Sequence, residues 1–330
     1  MDIVGFGPIG RELARRLISE ELKDSFHVSS ITDSSGTFYP DNAAVLKAIK
    51  WKEEQGDRKL GSLGLETRKG KSSNAQIVVD VTTSDYNKAD DAKSRATESL
   101  NSGKHYVTAN KVALAYFFSE VMDLAKKKNL VVGYGATICG GIHAIRVARA
   151  LAPGEITSAS AVLNASTTLI LSMLEEDPAL GFDEACKRAS EAGVLEKDWG
   201  IDLDGIDASA KTAILANVLF PDSRFSLGDI VTRGIRDDKA QLLIRYVALK
   251  RGEADEKLRL VSEIRADGAS VEPKPVKSDS PLAVGGRFNT VVFETKTLGE
   301  ISVRNLGGGV GLTASVLIAD LKKIAVTAKK

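Results

Sequence analysis

Three glycines near the start constrain this chain more than any other feature. Gly5, Gly7 and Gly10 stand in G-x-G-x-x-G spacing, directly after the short strand Met1 to Val4. A helical pattern follows, Arg11 to Glu21, with Leu13, Leu17 and Leu22 at helical spacing. In a strand–loop–helix of this kind the first glycine makes the tight turn. The second lets the backbone approach a pyrophosphate, and the third allows close helix–strand packing. The anion then sits at a helix N-terminus, where N–H groups and the dipole favour negative charge. Pro8 and Ile9 lie within the same loop. An ordinary glycine turn would share the spacing but needs no acid downstream. Here a second strand, His27 to Thr32, leads to Asp33, about twenty residues beyond the last glycine, where an acid grips an adenosine ribose. The chain therefore reads as a dinucleotide binder. Asp33 leans toward a free ribose hydroxyl and NAD, while Ser34, Ser35 and nearby Lys or Arg residues keep a 2′-phosphate, and NADP, open.

The pattern after Asp33 repeats. A helix is expected around Ala43 to Lys52, then a polar stretch to Lys71 and a buried strand from Gln76 to Thr82. Asp90 to Asn101 reads as helix, His105 to Thr108 as strand, Ala113 to Lys128 as helix and Leu130 to Gly133 as strand. Such β-α alternation means a doubly wound parallel sheet. Near residue 134 the pattern changes. Gly135 to Gly141 is a glycine-rich turn, and helices are expected at Ile142 to Leu151, Thr168 to Glu175, Phe182 to Ala192 and Ile206 to Leu219, with a strand at Thr157 to Leu163. From Ile230 onward short strands dominate, among them Leu258 to Ile264, Thr290 to Glu294 and Glu300 to Val303. A last helix, Thr313 to Ile324, is expected to return to the nucleotide domain. The domains expected are 1–134 with 305–330 for the dinucleotide, and 135–304 for a second, α+β domain. The first strand is short for a central one, so Met1 is read either as internal to a longer frame or as the start of a short strand.

Composition narrows the partners. The chain has 330 residues and a formal net charge of +1, which argues against nucleic acid or an acidic membrane surface. Two cysteines, Cys139 and Cys186, indicate a reducing compartment rather than a disulfide framework. No apolar run is long enough to span a bilayer and no secretory signal is visible, so a cytoplasmic protein is expected. The three histidines, His27, His105 and His143, are scattered without metal-site spacing.

Candidate chemistry clusters at strand ends and in one acidic stretch. Thr82, Thr83 and Ser84 follow a strand end, where ligands bind in open α/β sheets; a helix N-cap explains them equally. Thr108 and Lys111 follow the next strand, so Lys111 either points over the same crevice or faces solvent. Glu196 to Lys211 packs Glu196, Asp198, Asp202, Asp204, Asp207 and Lys211 into sixteen residues. Asp207 and Lys211 stand at i and i+4 of the expected helix. A surface ion pair is one reading. Apolar neighbours Ile206, Ala208, Ala210, Ile214 and Leu215 favour the other, a buried lysine–carboxylate pair that can move a proton. Carboxylates such as Glu196 and Asp202 facing a bound ammonium would account for the density of charge.

Together these motifs resemble homoserine dehydrogenase, nearly end to end. Gly5-x-Gly7-x-x-Gly10 matches that family's cofactor loop, and Gly103-Lys-His-Tyr-Val-Thr-Ala-Asn-Lys111 its signature strand and active-site lysine. Glu196, Asp202, Gly205, Asp207 and Lys211 fall on its E-x-D-x-x-x-D-x-x-G-x-D-x-x-x-K pattern from Glu196 without a gap. Asn164-Ala-Ser-Thr is similar to its substrate turn, and Gly307-Gly-Gly-Val-Gly with Asp320 to its closing loop and last helix. The resemblance implies a Rossmann-type sheet plus an α+β catalytic and dimerisation domain. It implies NAD(P)-dependent interconversion of L-aspartate 4-semialdehyde and L-homoserine, on the way to threonine, isoleucine and methionine. It implies Lys211 as proton-transfer group, Lys111 as substrate-positioning or relay group, Asp207 beside them, and Glu196, Asp202 and Ser166 at the substrate. A homodimer or higher oligomer is implied, in a short form without regulatory or kinase domain.

The chain also departs from the family. Gly135 stands where a glutamate commonly ligates a monovalent cation, so no metal is expected; backbone oxygens of Ile138, Gly140 and Ile142 are the residual candidates. His143, Ala165, Thr168 and Val194 are further replacements. Two other readings are weighed: another Rossmann amino-acid oxidoreductase such as an aspartate dehydrogenase, and a nucleotide-sensing protein without catalysis. The intact Lys111, Asp207 and Lys211 set argues against the second.

Overall fold

The computed structural model describes every residue except 20, 21, 23, 24, 57, 65–72, 141, 142, 152, 153, 178, 196, 197, 250–254 and 328–330. It divides into two compact units: Met1–Ala113 with Glu120–Thr137 and Gly309–Lys330, and Leu114–Ser119 with Ile138–Gly308.

The first unit begins with β1 (Asp2–Val4), α1 (Pro8–Leu17), β2 (Ser30–Asp33), β3 (Gly36–Phe38) and α2 (Asn42–Gln55). It continues with β4 (Ile77–Asp80), α3 (Ala89–Asn101), β5 (His105–Thr108), α4 (Val112–Lys127, of which Leu114–Ser119 belong to the second unit) and β6 (Val132–Gly133). Its six-stranded sheet has the order β3-β2-β1-β4-β5-β6. β2, β1, β4, β5 and β6 run parallel, while β3 is the antiparallel arm of a hairpin with β2. Strand order reverses between β1 and β4, and ligands of open α/β sheets bind at such a switch point. β4, Ile-Val-Val-Asp, is buried at every position, as a parallel strand covered on both faces must be. Its core joins Ile3, Leu13, Leu17, Ile31 and Val79 to Val316, Leu317, Leu321 and Ile324 of the last helix. Each such side chain contributes about 1.5–3 kcal/mol when fully buried.

The second unit holds α5 (Ala144–Ala150), β7 (Ile156–Val162), α6 (Ala165–Glu176), α7 (Phe182–Glu191), α8 (Trp199–Leu203) and α9 (Ile206–Leu219). These are followed by β8 (Ile230–Thr232), α10 (Asp238–Leu249), β9 (Glu256–Arg265), β10 (Gly268–Lys277), β11 (Phe288–Thr295) and β12 (Glu300–Leu306). The sheet order is β12-β11-β7-β9-β10-β8, mixed and mostly antiparallel. α9 packs on β8, β9 and β10. It is apolar nearly all round, with Ala208, Ala210, Ala213, Ile214, Leu215 and Ala216 buried, the pattern of a helix enclosed by its domain. The last helix, α11 (Val310–Thr327), belongs to the first unit and packs against α1, β5 and β6.

Four elements have no counterpart of their own among those expected from the sequence. β10 carries Pro273 and Pro275, which lack the N–H a central strand must donate. The structure accommodates them because β8 pairs only with Ala269–Val271, leaving that side of β10 an edge where the prolines stand. β3 is a short hairpin return. α8 lies where a loop is expected, its five residues too short for periodicity to register. α10 lies in the region where short strands are expected to dominate: Asp237 Oδ1 accepts the Lys239 N–H at 3.0 Å and starts a helix.

Candidate active site

The nucleotide loop is built as its glycines demand. Gly5 has φ +98°, and a Cβ there would lie 2.7 Å from the Thr82 backbone nitrogen. A Cβ on Gly10 would lie 2.1 Å from the Gly5 carbonyl oxygen, so that helix turn rests directly on the loop. Around Gly7 nothing lies within 4 Å of such an atom, which leaves the loop's outer side open. α1 starts with Pro8 at its first turn and no side chain caps it. Its first N–H groups and the dipole are thus available to an anion. The adjoining cavity, about 690 Å³, is lined by Gly5, Phe6, Gly7, Asp33, Lys52, Thr82, Thr83, Lys88 and Arg95 among others. The residues present fit a dinucleotide: a bare pyrophosphate cradle flanked by cations.

Asp33 lies at the expected strand end, but its carboxylate is already engaged. It accepts from the Ser35 N–H at 2.9 Å, the Ser35 hydroxyl, the Leu60 N–H at 2.7 Å and the Lys52 ammonium at 3.0 Å. A carboxylate offers about four acceptor positions, so a ribose hydroxyl would share or displace one of these donors. Burial alone would raise this carboxyl's pKa, but the hydrogen bonds from Ser35, Leu60 and Lys52 outweigh it and hold the group low. A folded pKa below the unfolded value of about 4 adds stability above that pH, lost as the pH falls through the folded value. Asp33→Asn should therefore lower the melting temperature at neutral pH and flatten the acid limb between about pH 4 and the folded value. Thermal scans from neutral to acid pH check this, and parallel curves for the two proteins would refute it.

Behind the cavity a buried network ties two strand ends together. Asp80, fully buried, accepts from the Tyr106 hydroxyl at 2.8 Å, Arg95 Nε at 3.0 Å and the Thr82 hydroxyl at 2.6 Å. Burial and the Asp80 charge push the Tyr106 phenol well above its ordinary pKa. Asn110 Nδ2 donates to Thr82 Oγ1 at 2.9 Å and to the Thr83 carbonyl at 3.0 Å. The loops after β4 and β5 thus form one platform. Thr82–Ser84 does not cap a helix: a 3₁₀ turn capped by Asp85 precedes α3, which starts at Ala89. Ser84 Oγ instead accepts the Lys111 N–H at 3.2 Å. Thr108 is buried, with its hydroxyl directed at the Asp80 and Asn110 carbonyls.

The acid–lysine stretch folds into α8, a turn at Gly205 and the buried α9. Asp207 Oδ2 and Lys211 Nζ are 2.6 Å apart, with side chains only 11 % and 12 % exposed, so the surface-pair reading does not hold. Lys211 Nζ also donates to the Leu163 carbonyl at 2.7 Å, at the end of β7. Asn164 Nδ2 donates to Asp202 Oδ1 at 2.7 Å and Asp207 Oδ2 at 3.1 Å. Asp202 is buried on α8. Ser166 is buried and donates to the Val194 carbonyl at 2.7 Å, tying α6 to the segment before residue 196. Glu196 lies outside the described residues, as does Ile142; Ile138 and Gly140 are buried. Asp198 caps α8 through the Gly200 N–H at 2.9 Å. Asp204 pairs with the exposed Arg236, its Oδ1 lying 2.7 Å from Nε. Sequence reasoning gave Leu163, Asn110 and Asp80 no role, and placed Asn164 only within the stretch similar to the family's substrate turn.

At Gly135 a Cβ would meet Val316 Cγ1 at 2.9 Å and Asp320 Oδ2 at 3.1 Å, so the position has no space for a ligating side chain. Asp320 Oδ2 accepts the Gly135 N–H at 2.8 Å. Among the described residues no group of three or more His, Cys, Asp or Glu could hold a metal. Both thiols are buried, and burial with the nearby Asp183 pushes Cys186 up to about 11. A disulfide-exchange reagent at pH near 8 should thus label Cys186 only after unfolding; fast labelling of native protein would contradict this.

Residues 5–134 match the family description "Homoserine dehydrogenase, NAD binding domain", and residues 142–321 match "Homoserine dehydrogenase". The homoserine dehydrogenase of Methanocaldococcus jannaschii is 36% identical, covering 99% of each chain. That of Pyrococcus horikoshii is 34% identical over 98% of this chain and 96% of its own. A solved hyperthermophilic archaeal homoserine dehydrogenase in complex with NADPH, 33% identical, superposes with a TM-score of 0.82 over 99% of this chain and 97% of its own. These matches, on a chain with this fold and nucleotide crevice, define an NAD(P)-dependent oxidoreductase, one that acts on a CH–OH group. The chain belongs to the homoserine dehydrogenase family, and its reaction is the interconversion of L-homoserine and L-aspartate 4-semialdehyde.

Proposed function

We propose that Lys211 is the proton-transfer group of this reaction, with Asp207 as its orienting counter-charge and Asp202, Glu196 and Ser166 at the substrate. The observation that carries this reading is the buried Asp207–Lys211 pair. Bound NADH or NADPH supplies hydride to the aldehyde carbon. Negative charge then develops on the aldehyde oxygen, where the Lys211 ammonium stabilises it and delivers a proton. In the oxidising direction the same amine accepts the hydroxyl proton. Asp202 and Glu196 offer negative charge to the α-ammonium. Lys111, carried on the platform after β5, is assigned substrate positioning or proton relay. Gly5, Gly7, Pro8, Ile9 and Gly10 would hold the coenzyme pyrophosphate, Thr82 and Thr83 its nicotinamide end, and Asp33 with Lys52 its adenosine ribose; Thr108, expected from sequence to touch the coenzyme, is fully buried and supports the platform beneath it instead. No step is routed through a metal.

The reading extends to residues 1–134 with 305–330 as the dinucleotide domain and 135–304 as the catalytic and dimerisation domain. It places a cytoplasmic homodimer or higher oligomer in threonine, isoleucine and methionine biosynthesis. No described helix is long and apolar enough to cross a membrane. The deciding assay mixes the protein with NADH or NADPH and either aspartate semialdehyde or oxaloacetate plus ammonia, following loss of reduced-coenzyme absorbance. Oxidation is expected with the semialdehyde; oxidation only with oxaloacetate and ammonia would sink the reading.

A further inference from the structure

The end of β7 sends two adjacent groups into the acid–lysine centre. The Leu163 carbonyl accepts from Lys211 Nζ at 2.7 Å. Asn164, 2% exposed, reaches both aspartates through its amide nitrogen. Its amide oxygen accepts the Thr167 N–H at 2.9 Å as the N-cap of α6. A backbone N–H can only donate, so this contact fixes which end of the amide is oxygen. The Nδ2 end must then face the carboxylates, and its two hydrogens match two acceptors. Asp202 and Asp207 come from different helices, α8 and α9, and repel each other as like charges in a buried site. A neutral donor between them holds both without cancelling the charge that each can offer.

We propose that Asn164 is a positioning residue of the reaction: it sets the spacing of Asp202 and Asp207 and, through Asp207, aims the Lys211 ammonium. This rests on the assignment of Lys211 as the proton-transfer group. The competing role, a helix cap alone, is separable. Asn164→Ser keeps a cap oxygen for the Thr167 N–H but removes both amide hydrogens, and serine is as good a cap as asparagine. Asn164→Asp also keeps the cap but adds a third carboxylate.

Both variants and Lys211→Ala are to be measured side by side for homoserine oxidation, coenzyme binding by fluorescence titration and melting temperature. Asn164→Ser is expected to bind NADPH unchanged and to melt somewhat below the parent, because two buried carboxylates lose a donor while the helix cap is kept. Its kcat/KM for homoserine should fall about 10–100-fold, the worth of hydrogen bonds to charged groups. The loss should show both in kcat, through Asp207, and in the KM for homoserine, through Asp202, with the coenzyme KM unmoved. Asn164→Asp should lose more than Asn164→Ser. If Lys211→Ala is inactive while Asn164→Ser matches the parent, Asn164 is a cap and the proposal is overturned. Greater activity in Asn164→Asp than in Asn164→Ser overturns it too. If Lys211→Ala keeps its turnover, the assignment of Lys211 fails instead.

Discussion

Lys211→Ala is expected to lower kcat by about 10²–10⁴-fold, the range a positioned proton donor contributes, while NADPH affinity stays within a few-fold. The separation follows from where the side chain lies. Lys211 is held by Asp207 and the Leu163 carbonyl, both in the second unit. The glycine cradle and its crevice are built wholly from the first. Stability will also fall, since removing one member of a buried ion pair costs about 3–5 kcal/mol. The kinetic test therefore belongs well below the variant's melting temperature, with Lys211→Met as a companion that keeps the alkyl stem. Stopped-flow turnover and coenzyme fluorescence read the two quantities separately. An equal collapse of both would mean that Lys211 holds the fold rather than the proton.

The second large effect is expected at Gly10. Gly10→Val must place its Cβ where the Gly5 carbonyl now sits, 2.1 Å away. The two nearest atoms are both Gly5 backbone, and Gly5 cannot retreat because its own Cβ position faces the Thr82 nitrogen at 2.7 Å. The cost should reach or exceed the upper end of the about 1–3 kcal/mol typical of overpacking. The loop would lift from α1, so NADPH binding should weaken at least tenfold together with stability. Gly7→Ala provides the contrast, since no atom lies near its Cβ position. It should fold like the parent and lose only coenzyme affinity. Denaturant midpoints and fluorescence titrations of the two variants test the pair. Normal NADPH affinity in Gly10→Val would refute the packing argument.

Much of this architecture is legible in the sequence because periodicity and punctuation agree. α9 runs Ile206–Leu219, as Gly205 and the apolar run imply. The strands before residue 134 appear where short apolar runs end in polar residues. Misses occur where a local rule is overridden by a neighbour. Pro273 and Pro275 argue against a strand, yet β10 lies beside the short β8 and tolerates them. At the site, the spacing of Asp207 and Lys211 is visible, but their partners Leu163 and Asn164 lie far earlier in the chain, a contact that only the tertiary fold brings about. The position of Asp33 is visible too. Its saturation by Lys52, Ser35 and Leu60 is a tertiary fact that no local pattern encodes. Asp198 and Asp204, which look like members of the charged cluster, serve as a helix cap and a surface partner of Arg236.

The place of α11 has a consequence for how the molecule comes into being. Ile3, Leu13 and Leu17 share one core with Val316, Leu317, Leu321 and Ile324, which come far later in the chain. Until the ribosome has delivered that helix, the opening βαβ segment carries an uncovered apolar face. The unit Ile138–Gly308, by contrast, has nearly all of its own segments in hand earlier. Closing so long a loop must precede the share of that core's gain that Val316, Leu317, Leu321 and Ile324 bring, a topology that slows folding. Nascent chains should thus mature from the middle outward, with the amino-terminal segment awaiting its partner as a natural client for chaperones.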